Sequence, residues 1–227
     1  MSAPSSTSRT LAIGDVHGCN TALDTLLERV APASADTLVF LGDLVDRGPG
    51  TKQVLDRVLE LENRCRVILI MGNHEEMMLN ALNGLDRKLW YHFGGDEAVE
   101  SYGGSMHAIP QSHIELIQSG LDYWETPSTI FIHANLQPHA PLDQQDGLYL
   151  RWTHLSGNER RYDPQRRVIC GHTPQKSGYP LEMPGWVGID TDCERGGWLT
   201  CLDVDADWVW QANEAGQSRE FPLGRRE

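Results

Sequence analysis

The sequence is short of positive charge and has no long apolar run. It carries 19 Lys and Arg residues against 32 Asp and Glu residues, which gives a net charge of −13. This balance argues against broad contact with nucleic acid or with an anionic membrane surface. No apolar stretch approaches the roughly 18 residues that a membrane-spanning helix needs. We therefore expect neither nucleic acid nor a membrane as a partner.

A cysteine framework is also absent. The five cysteines are an odd number and show no repeated CxxC spacing, which favours reduced, packed thiols and a cytoplasmic protein. The opening MSAPSSTSRT lacks the charged and apolar regions of a secretory signal, so we interpret residues 1–9 as a flexible tail. The chain has 227 residues with no internal repeat or low-complexity linker, which indicates a single domain over 1–227.

The first third of the chain alternates between strand-like and helix-like patterns. Apolar runs at 11–13, 37–41 and 67–71 are separated by segments with apolar residues on one helical face. This βαβαβ order predicts a parallel sheet with right-handed crossovers. Further strands are predicted at 130–132, 168–170, 186–189, 198–204 and 208–211. We expect an α/β fold (an α+β sandwich) with two packed mixed sheets flanked by helices. We interpret the Gly-, His- and aromatic-rich segment 83–127 as a helical insert beside the site.

Polar side chains follow these predicted strands directly. They are Asp15, His17, Asp43, Asp46, Arg47, Asn73, His74, His133 and His172. Ligand sites of α/β sheets lie beyond the carboxyl ends of the strands, so these side chains should converge. Carboxylate, imidazole and amide ligands suit Mn, Fe or Zn. A carboxylate shared by two ions is a common way to hold them roughly 3.5–4 Å apart for phosphoryl chemistry.

Three sequence blocks carry a family resemblance. GDVHG at 14–18, GDLVDRG at 42–48 and GNHE at 72–75 resemble the signature blocks of the phosphoprotein phosphatase (PPP) family of metallophosphoesterases. HA at 133–134 and GHT at 171–173 match its two later histidine blocks, so the resemblance covers about 11–204. GIDT at 188–191 and GWLT at 197–200 resemble the bacterial and bacteriophage lambda branch. The resemblance implies a calcineurin-like metallophosphoesterase fold.

The resemblance also implies a role for each site residue. The implied metal ligands are Asp15 and His17 for a first divalent ion, Asp43 for both ions, and Asn73, His133 and His172 for a second. The implied phosphate-binding residues are Arg47, Asn73 and, on a weaker match in YLRW, Arg151. His74 would be the general acid, oriented by Asp46. We expect two Mn²⁺ ions, with Fe or Zn as alternatives.

The function implied is hydrolysis of phosphate monoesters by direct attack of a metal-bridging hydroxide. We interpret the chain as a serine/threonine protein phosphatase, with activity on phosphotyrosine left open. The partner would be a phosphorylated protein or a small phosphoester, and the sequence does not predict an oligomeric state. The alternative is a symmetrical bis(5′-nucleosyl)-tetraphosphatase. Those enzymes typically have Ala at the position of Asp46 and Asp at that of Glu75, so both positions favour the protein phosphatase.

Other classes fit the sequence less well. A cysteine-based phosphatase needs an Arg six positions after its Cys, and none of the five cysteines has one. The Asp pairs at 190/192 and 203/205 resemble aspartyl-phosphate phosphatases, but neither pair is followed by the expected Thr or Val. A non-catalytic metal- or phosphate-binding module would lack a ligand or His74, and all are present. Ordinary turns would explain the Gly and Asp residues but not the histidines.

Overall fold

The computed structural model describes residues 8–224, which form eleven strands and seven α-helices. The strands are β1 (Thr10–Ile13), β2 (Thr37–Phe40), β3 (Arg66–Leu69), β4 (Trp124–Glu125), β5 (Thr129–Phe131), β6 (Arg167–Cys170), β7 (Leu181–Met183), β8 (Trp186–Gly188), β9 (Leu199–Asp203), β10 (Trp208–Ala212) and β11 (Ser218–Pro222). The helices are α1 (Asn20–Val30), α2 (Thr51–Glu62), α3 (Asn73–Leu82), α4 (Arg87–Trp90), α5 (Asp96–Ser101), α6 (Gln111–Gln118) and α7 (Gly147–Trp152).

The strands form two mixed sheets. The six-stranded sheet has the order β11-β10-β9-β1-β2-β3, in which β1, β2 and β3 are parallel and β9, β10 and β11 are antiparallel. The five-stranded sheet has the order β4-β5-β6-β8-β7, with β5, β6 and β8 parallel. The crossovers through α1 and α2 place the carboxyl ends of β1, β2 and β3 at one edge of the first sheet, as expected of βαβ units.

The alternation of side chains along β1 and β2 builds two layers of core. Leu11 and Leu38 belong to the cluster that also contains the buried faces of α1 and α2. Ala12 and Val39 point the other way and pack with Phe131 and other residues of the five-stranded sheet. Successive strand residues face opposite sides of a sheet, so β1 and β2 are covered on both faces. The predicted sandwich of two mixed sheets flanked by helices is confirmed.

The expected tail and insert can be placed in part. Residues 1–7 of the tail lie outside the described residues. Arg9, at its end, donates hydrogen bonds to the carboxylate of Asp36 from its backbone N–H, Nε and Nη2. The segment 83–127 contains α4, a π-helical turn at Tyr91–Gly95, α5, a 3₁₀ turn at Met106–Ala108, α6 and β4. Within 8–224, no helix is long and apolar enough to cross a membrane.

Candidate metal centre

The loops after β1, β2 and β6 adopt strained backbone conformations. Five residues there have φ between 45° and 71°: His17, Asp43, Asp46, Arg47 and His172. Non-glycine residues seldom occupy this left-handed region, which costs of order 1–3 kcal/mol for each and is found most often at functional sites. The sequence therefore maintains unfavourable backbone angles at the residues whose side chains the site needs.

Gly42 allows two of these loops to come close together. Its φ is 94°, and a Cβ placed on it would lie 2.8 Å from Nδ1 of His133 and 2.7 Å from the backbone nitrogen of Gly72. That His133 nitrogen lies 2.7 Å from the carbonyl oxygen of Leu41, which therefore accepts its proton. The Nε2 atom of His133 is thus left with a lone pair directed into the site.

Asp43 presents its two carboxylate oxygens to different groups of donors. Oδ2 lies 3.5 Å from Nε2 of His17, and Oδ1 lies 3.5 Å from Nε2 of His133. The His133 nitrogen lies 3.0 Å from Oδ1 of Asn73 and 3.1 Å from Nδ1 of His172. Asp43 thus lies between a histidine from the loop after β1 and a cluster of three donors from β3, β5 and β6.

Burial sets the protonation of these groups in a direction that suits a metal. It lowers the pKa of His17, and it lowers the pKa of His133 and takes that of His172 to about 3. The imidazoles are therefore neutral at pH 7, the form that binds metals. Burial alone would raise the pKa of Asp43, but the surrounding histidines, with His133 the largest contributor, lower it below its ordinary value. Asp43 is therefore a carboxylate.

Asp15 lies at the same edge but faces the backbone of another loop. Both its oxygens accept the backbone N–H of His172, at 3.1 and 3.0 Å. Burial, followed by the neighbouring charges of Asp190 and Asp43, raises its pKa well above the ordinary value. The potential ligand atoms that lie within 4.8 Å of one another form two sets, His17–Asp43–His74 and Asp43–His133–His172. Asp15 is in neither set.

His74 is held between a carboxylate and an arginine. Its Nδ1 lies 2.8 Å from Oδ2 of Asp46, and its Nε2 lies 2.9 Å from Nη2 of Arg47. Burial would lower the pKa of His74, but the charges of Asp43 and Asp46 and the hydrogen bond to Asp46 outweigh it and raise that pKa. The expected pairing of Asp46 with His74 is therefore present in the structure, and it favours the protonated imidazole.

Arg47 lies at the centre of the site. Its Nη1 donates to Oε1 of Glu194 at 2.8 Å and lies 3.0 Å from Nε2 of His17. Its backbone N–H donates to the carbonyl oxygen of Gly94, in the insert. Glu194 was not predicted from the sequence, because it belongs to a short 3₁₀ turn (Cys193–Arg195) that matches none of the signature blocks.

Arg151 occupies a different position from Arg47. It lies in α7, and its Nε donates to Glu76 at 2.9 Å while Nη1 donates to Asp122 at 2.6 Å. Two carboxylates therefore hold its guanidinium, although its charge still contributes to lowering the pKa of His133. Arg151 thus lies near the candidate ligand His133, while its guanidinium donates to Glu76 and Asp122.

Glu75 stabilises the backbone around Asp43 through hydrogen bonds. Its Oε2 accepts the N–H groups of Asp43 and Gly72, at 2.7 and 3.0 Å, and Oε1 accepts that of Leu44 at 2.7 Å. The side chain is fully buried. Burial, and then repulsion from Asp43, raises the pKa of Glu75 to about 7. This residue joins the loop after β2 to the start of α3.

The donor set fits two divalent cations. Neutral imidazoles, a shared carboxylate and an amide oxygen lie at one edge of the sheet, and each histidine ring has a nitrogen turned inward. Such borderline nitrogen and oxygen donors are typical ligands of Mn, Fe and Zn. The second nitrogens of His17 and His133 lie 3.0 and 2.7 Å from the backbone oxygens of Val45 and Leu41, the second contact that fixes a ligating ring.

Residues 8–182, about three quarters of the chain, match the family described as calcineurin-like phosphoesterase. The chain belongs to this family. The family uses a dinuclear divalent metal centre, and its fold supports metal-dependent hydrolysis of phosphoesters.

Two curated relatives of the calcineurin-like chain are tetraphosphatases. The symmetrical bis(5′-nucleosyl)-tetraphosphatase of Baumannia cicadellinicola is 44% identical over 79 residues, which are 34% of this chain and 27% of that protein. The chain thus spans about a quarter of the length of this relative. The asymmetrical bis(5′-nucleosyl)-tetraphosphatase PrpE of Geobacillus thermodenitrificans is 26% identical over 84% of this chain and 88% of that protein.

Solved structures share the fold with this calcineurin-like chain over nearly its whole length. One, described as a proposed diadenosine tetraphosphatase, has a TM-score of 0.67 and 23% identity and covers 99% of this chain and 97% of that one. Another, the cold-active protein-tyrosine phosphatase of a Shewanella species, has a TM-score of 0.64 and 18% identity and covers 95% and 80%. At these identities the likeness concerns the fold alone.

Proposed function

We propose that this chain hydrolyses bis(5′-nucleosyl) tetraphosphates in a metal-dependent reaction. The observation that carries the proposal is the pair of sequence matches to tetraphosphatases, one of which extends over 84% of the chain. The site supports the same chemistry, because a phosphoester hydrolase of this family needs the donor set gathered around Asp43. The alternative predicted from the sequence was a symmetrical bis(5′-nucleosyl)-tetraphosphatase, and the relatives, one symmetrical and one asymmetrical, favour a tetraphosphatase over a protein phosphatase.

Asp46 and Glu75, the two positions that favour a protein phosphatase in the sequence, differ in how closely they relate to the substrate. Glu75 accepts hydrogen bonds from three backbone N–H groups and, among residues 8–224, from no candidate phosphate-binding side chain, so we interpret it as support for a loop. Asp46 is more informative, because it contacts His74. An oriented acid assists a poor leaving group such as a serine alkoxide. This contact supports a protein phosphatase as the second candidate function.

We assign the roles as the resemblance implies them. Asp15 and His17 would hold one ion, Asp43 both, and Asn73, His133 and His172 the other. When bound, the two ions would neutralise phosphate charge and acidify water. The metal we propose is Mn²⁺, because imidazole ligands bind Mn²⁺ more tightly than they bind Mg²⁺.

The protein's own groups would do the rest of the work on the substrate. Arg47 would bind phosphate oxygens, and the raised pKa of His74 would let it protonate the leaving oxygen. Glu76 and Asp122 both bind the guanidinium of Arg151. Arg151 would therefore bind phosphate only after it had broken its contact with one of these carboxylates. Arg47, by contrast, pairs with one carboxylate among the described residues, that of Glu194.

The test is a turnover comparison with the Mn²⁺-loaded protein. Diadenosine tetraphosphate, a phosphoserine peptide and p-nitrophenyl phosphate are compared by kcat/KM, and the products of the first are separated by chromatography. We expect diadenosine tetraphosphate to have the highest value. Two ADP molecules would indicate symmetrical cleavage, and ATP with AMP asymmetrical cleavage. A higher kcat/KM for the phosphoserine peptide would reject the proposal in favour of the second candidate.

A further inference from the structure

A cavity of about 750 Å³ lies on the outer side of the five-stranded sheet. Its floor includes Trp186 of β8, and its walls are two loops, at 135–142 and 156–166. Ligand cavities for small organic molecules commonly measure roughly 300–1,000 Å³. None of the candidate metal ligands lines it, so it is a space distinct from the metal centre.

The cavity nevertheless begins next to two candidate ligands. Asn135, in its wall, is two residues beyond His133, a separation of at most about 7 Å along the chain. The amide nitrogen of Asn135 donates to the carbonyl oxygen of His154 at 3.2 Å. The ring of His154 stacks on that of His172, with 4.4 Å between centroids. The wall of the cavity at Asn135 therefore lies close along the chain to His133 and is linked through His154 to His172.

Hydrogen bonds between the two loops fix the walls. The hydroxyl of Tyr162 donates to the carbonyl oxygen of Ala140 at 2.7 Å, and Gln145 donates to the same oxygen at 2.9 Å. The indole nitrogen of Trp186 donates to the carbonyl oxygen of Arg160 at 3.0 Å. The cavity is therefore preformed, with aromatic rings from Tyr149, Tyr162 and Trp186 in its lining.

Two arginines give the rim of the cavity a positive charge. Arg160 and Arg161 are exposed, and neither guanidinium takes part in a salt bridge or hydrogen bond among the described residues. Of the two acids in the lining, Asp163 pairs with Arg166, whereas Glu159 accepts hydrogen bonds from Ser156 and Gly157 and keeps its negative charge. With three arginines and two acids, the lining has a net positive charge. In a chain with a net charge of −13, two uncommitted arginines beside an aromatic cavity favour an anionic, planar ligand.

We propose that this cavity binds the second nucleoside and its proximal phosphate when the first phosphates of a dinucleoside polyphosphate lie at the metal centre. The proposal rests on the proposed function. The base would lie against the aromatic lining, and Arg160 and Arg161 would bind phosphate oxygens in two-pronged contacts. Phosphoesters without a nucleoside would leave the cavity unused, so it would favour substrates that carry a second nucleoside.

The test uses the Mn²⁺-loaded full chain and the double variant Arg160→Ala/Arg161→Ala. We expect its ratio of kcat/KM for diadenosine tetraphosphate to that for p-nitrophenyl phosphate to fall by roughly tenfold, since two charge-assisted contacts are removed. The control Arg29→Ala/Arg64→Ala removes the same charge from α1 and from the turn after α2, and it should keep the wild-type ratio. A wild-type ratio in Arg160→Ala/Arg161→Ala would overturn the proposal while leaving the proposed function intact.

A binding measurement decides the matter if diadenosine tetraphosphate is not hydrolysed and the proposed function fails. ADP is titrated calorimetrically into the wild type, the double variant and the control. A Kd for ADP that rises roughly tenfold only in Arg160→Ala/Arg161→Ala would support the cavity as a nucleotide site. Equal Kd values in all three proteins, or no binding to the wild type, would overturn it. Arg160→Gln/Arg161→Gln, which removes both charges but keeps a polar side chain at each position, serves if the alanine variant does not fold.

Discussion

The indole nitrogen of Trp90 lies 2.9 Å from both carboxylate oxygens of Asp46. The two residues are fully buried and 44 positions apart in the chain. Burial raises the pKa of Asp46, whereas hydrogen bonds from His74 and Trp90 act in the opposite direction. A single N–H shared by two oxygens restrains the rotation of the carboxylate, so Trp90 directs Asp46 toward His74. Trp90 is therefore a positioning residue contributed by the helical insert.

Replacing Trp90 with phenylalanine should weaken this restraint. Trp90→Phe keeps an aromatic ring in the core but removes the donor to Asp46. We expect kcat on a phosphoserine peptide to fall roughly three- to tenfold, because a hydrogen bond to a charged group is lost, and metal content to stay at the wild-type value. The control is Trp124→Phe, at a tryptophan stacked on Phe131 in the other sheet. Equal losses in both variants would assign Trp90 a packing role only.

Metal removal should abolish activity, since the candidate ligands come from five separate loops and the proposed reaction depends on metal-activated water. We expect chelated protein to lose turnover on every phosphoester, and Mn²⁺ to restore more of it than Mg²⁺ does. Metal analysis by mass spectrometry accompanies each assay. Full turnover by protein shown to be free of metal would reject the two-metal assignment.

Asp43→Asn should be more damaging than Asp15→Asn. Asp43 directs one oxygen toward His17 and the other toward His133, whereas Asp15 accepts the backbone N–H of His172. We therefore expect Asp43→Asn to lower the number of bound ions per chain at both positions, and Asp15→Asn chiefly at one. Equilibrium dialysis followed by metal analysis measures this. Two ions retained with wild-type affinity in Asp43→Asn would contradict the shared-ligand role.

Asp36 should make stability depend on pH in the acid range. Burial opposes its charged form, but hydrogen bonds from Arg9 and Ala33 outweigh it and hold the pKa of Asp36 below the ordinary 3.8. Its contribution is present above about pH 4 and is lost as pH falls through the lowered folded-state pKa. Asp36→Asn should lower the free energy of unfolding by about 1–3 kcal/mol at pH 7.

The stability difference between Asp36→Asn and the wild type should shrink as the pH is lowered from 5 to 3. Urea denaturation at each pH measures it. Glu62→Gln, at an exposed carboxylate, is the control and should show little difference at any pH. A deficit in Asp36→Asn that is the same at pH 3 and pH 7 would show that Asp36 acts through packing and not through its charge.

The positions of β1, β2 and β3 could be predicted from the sequence, because a strand that is buried on both faces is a continuous run of apolar residues. The runs at 11–13, 37–41 and 67–71 became β1, β2 and β3 with shifts of one or two residues. β11 was missed, since its sequence SREFP is mostly exposed and only Phe221 is buried. β4 and β7 were missed for a similar reason, because they are two or three residues long and have no fully buried position.

The candidate ligands could be predicted because each of them closely follows a strand. The carboxyl ends of parallel strands lie at the same edge of a sheet, so these side chains share that edge. The residues that support Asp43, Asp46 and Arg47 were not predictable. Trp90, Glu75 and Glu194 act through contacts with residues between 31 and 147 positions away. In the sequence, Trp90 is one aromatic residue among several in the segment 83–127. Such long-range hydrogen bonds depend on how the insert and the 193–195 turn pack, which local periodicity does not encode.

His74 provides the sharpest distinction between the two candidate functions, because a general acid helps in proportion to the basicity of the leaving oxygen. The alkoxide of serine is very basic, whereas p-nitrophenolate and a nucleotide phosphate leave readily without a proton. His74→Asn should therefore lose roughly 10²–10⁴-fold in kcat on a phosphoserine peptide, the usual range for acid catalysis. The loss on p-nitrophenyl phosphate and on diadenosine tetraphosphate should be distinctly smaller.

Asp46→Asn should show the same dependence on the leaving group more weakly, because Asp46 orients the imidazole of His74 through the 2.8 Å contact and donates no proton to substrate. Each assay needs saturating substrate, chemistry as the rate-limiting step and metal content equal to that of the wild type. Equal losses on all three substrates would mean that His74 positions phosphate or supports the metals, as its place in the His17–Asp43–His74 set also allows. In that case Asp46 would no longer favour a protein phosphatase over a tetraphosphatase.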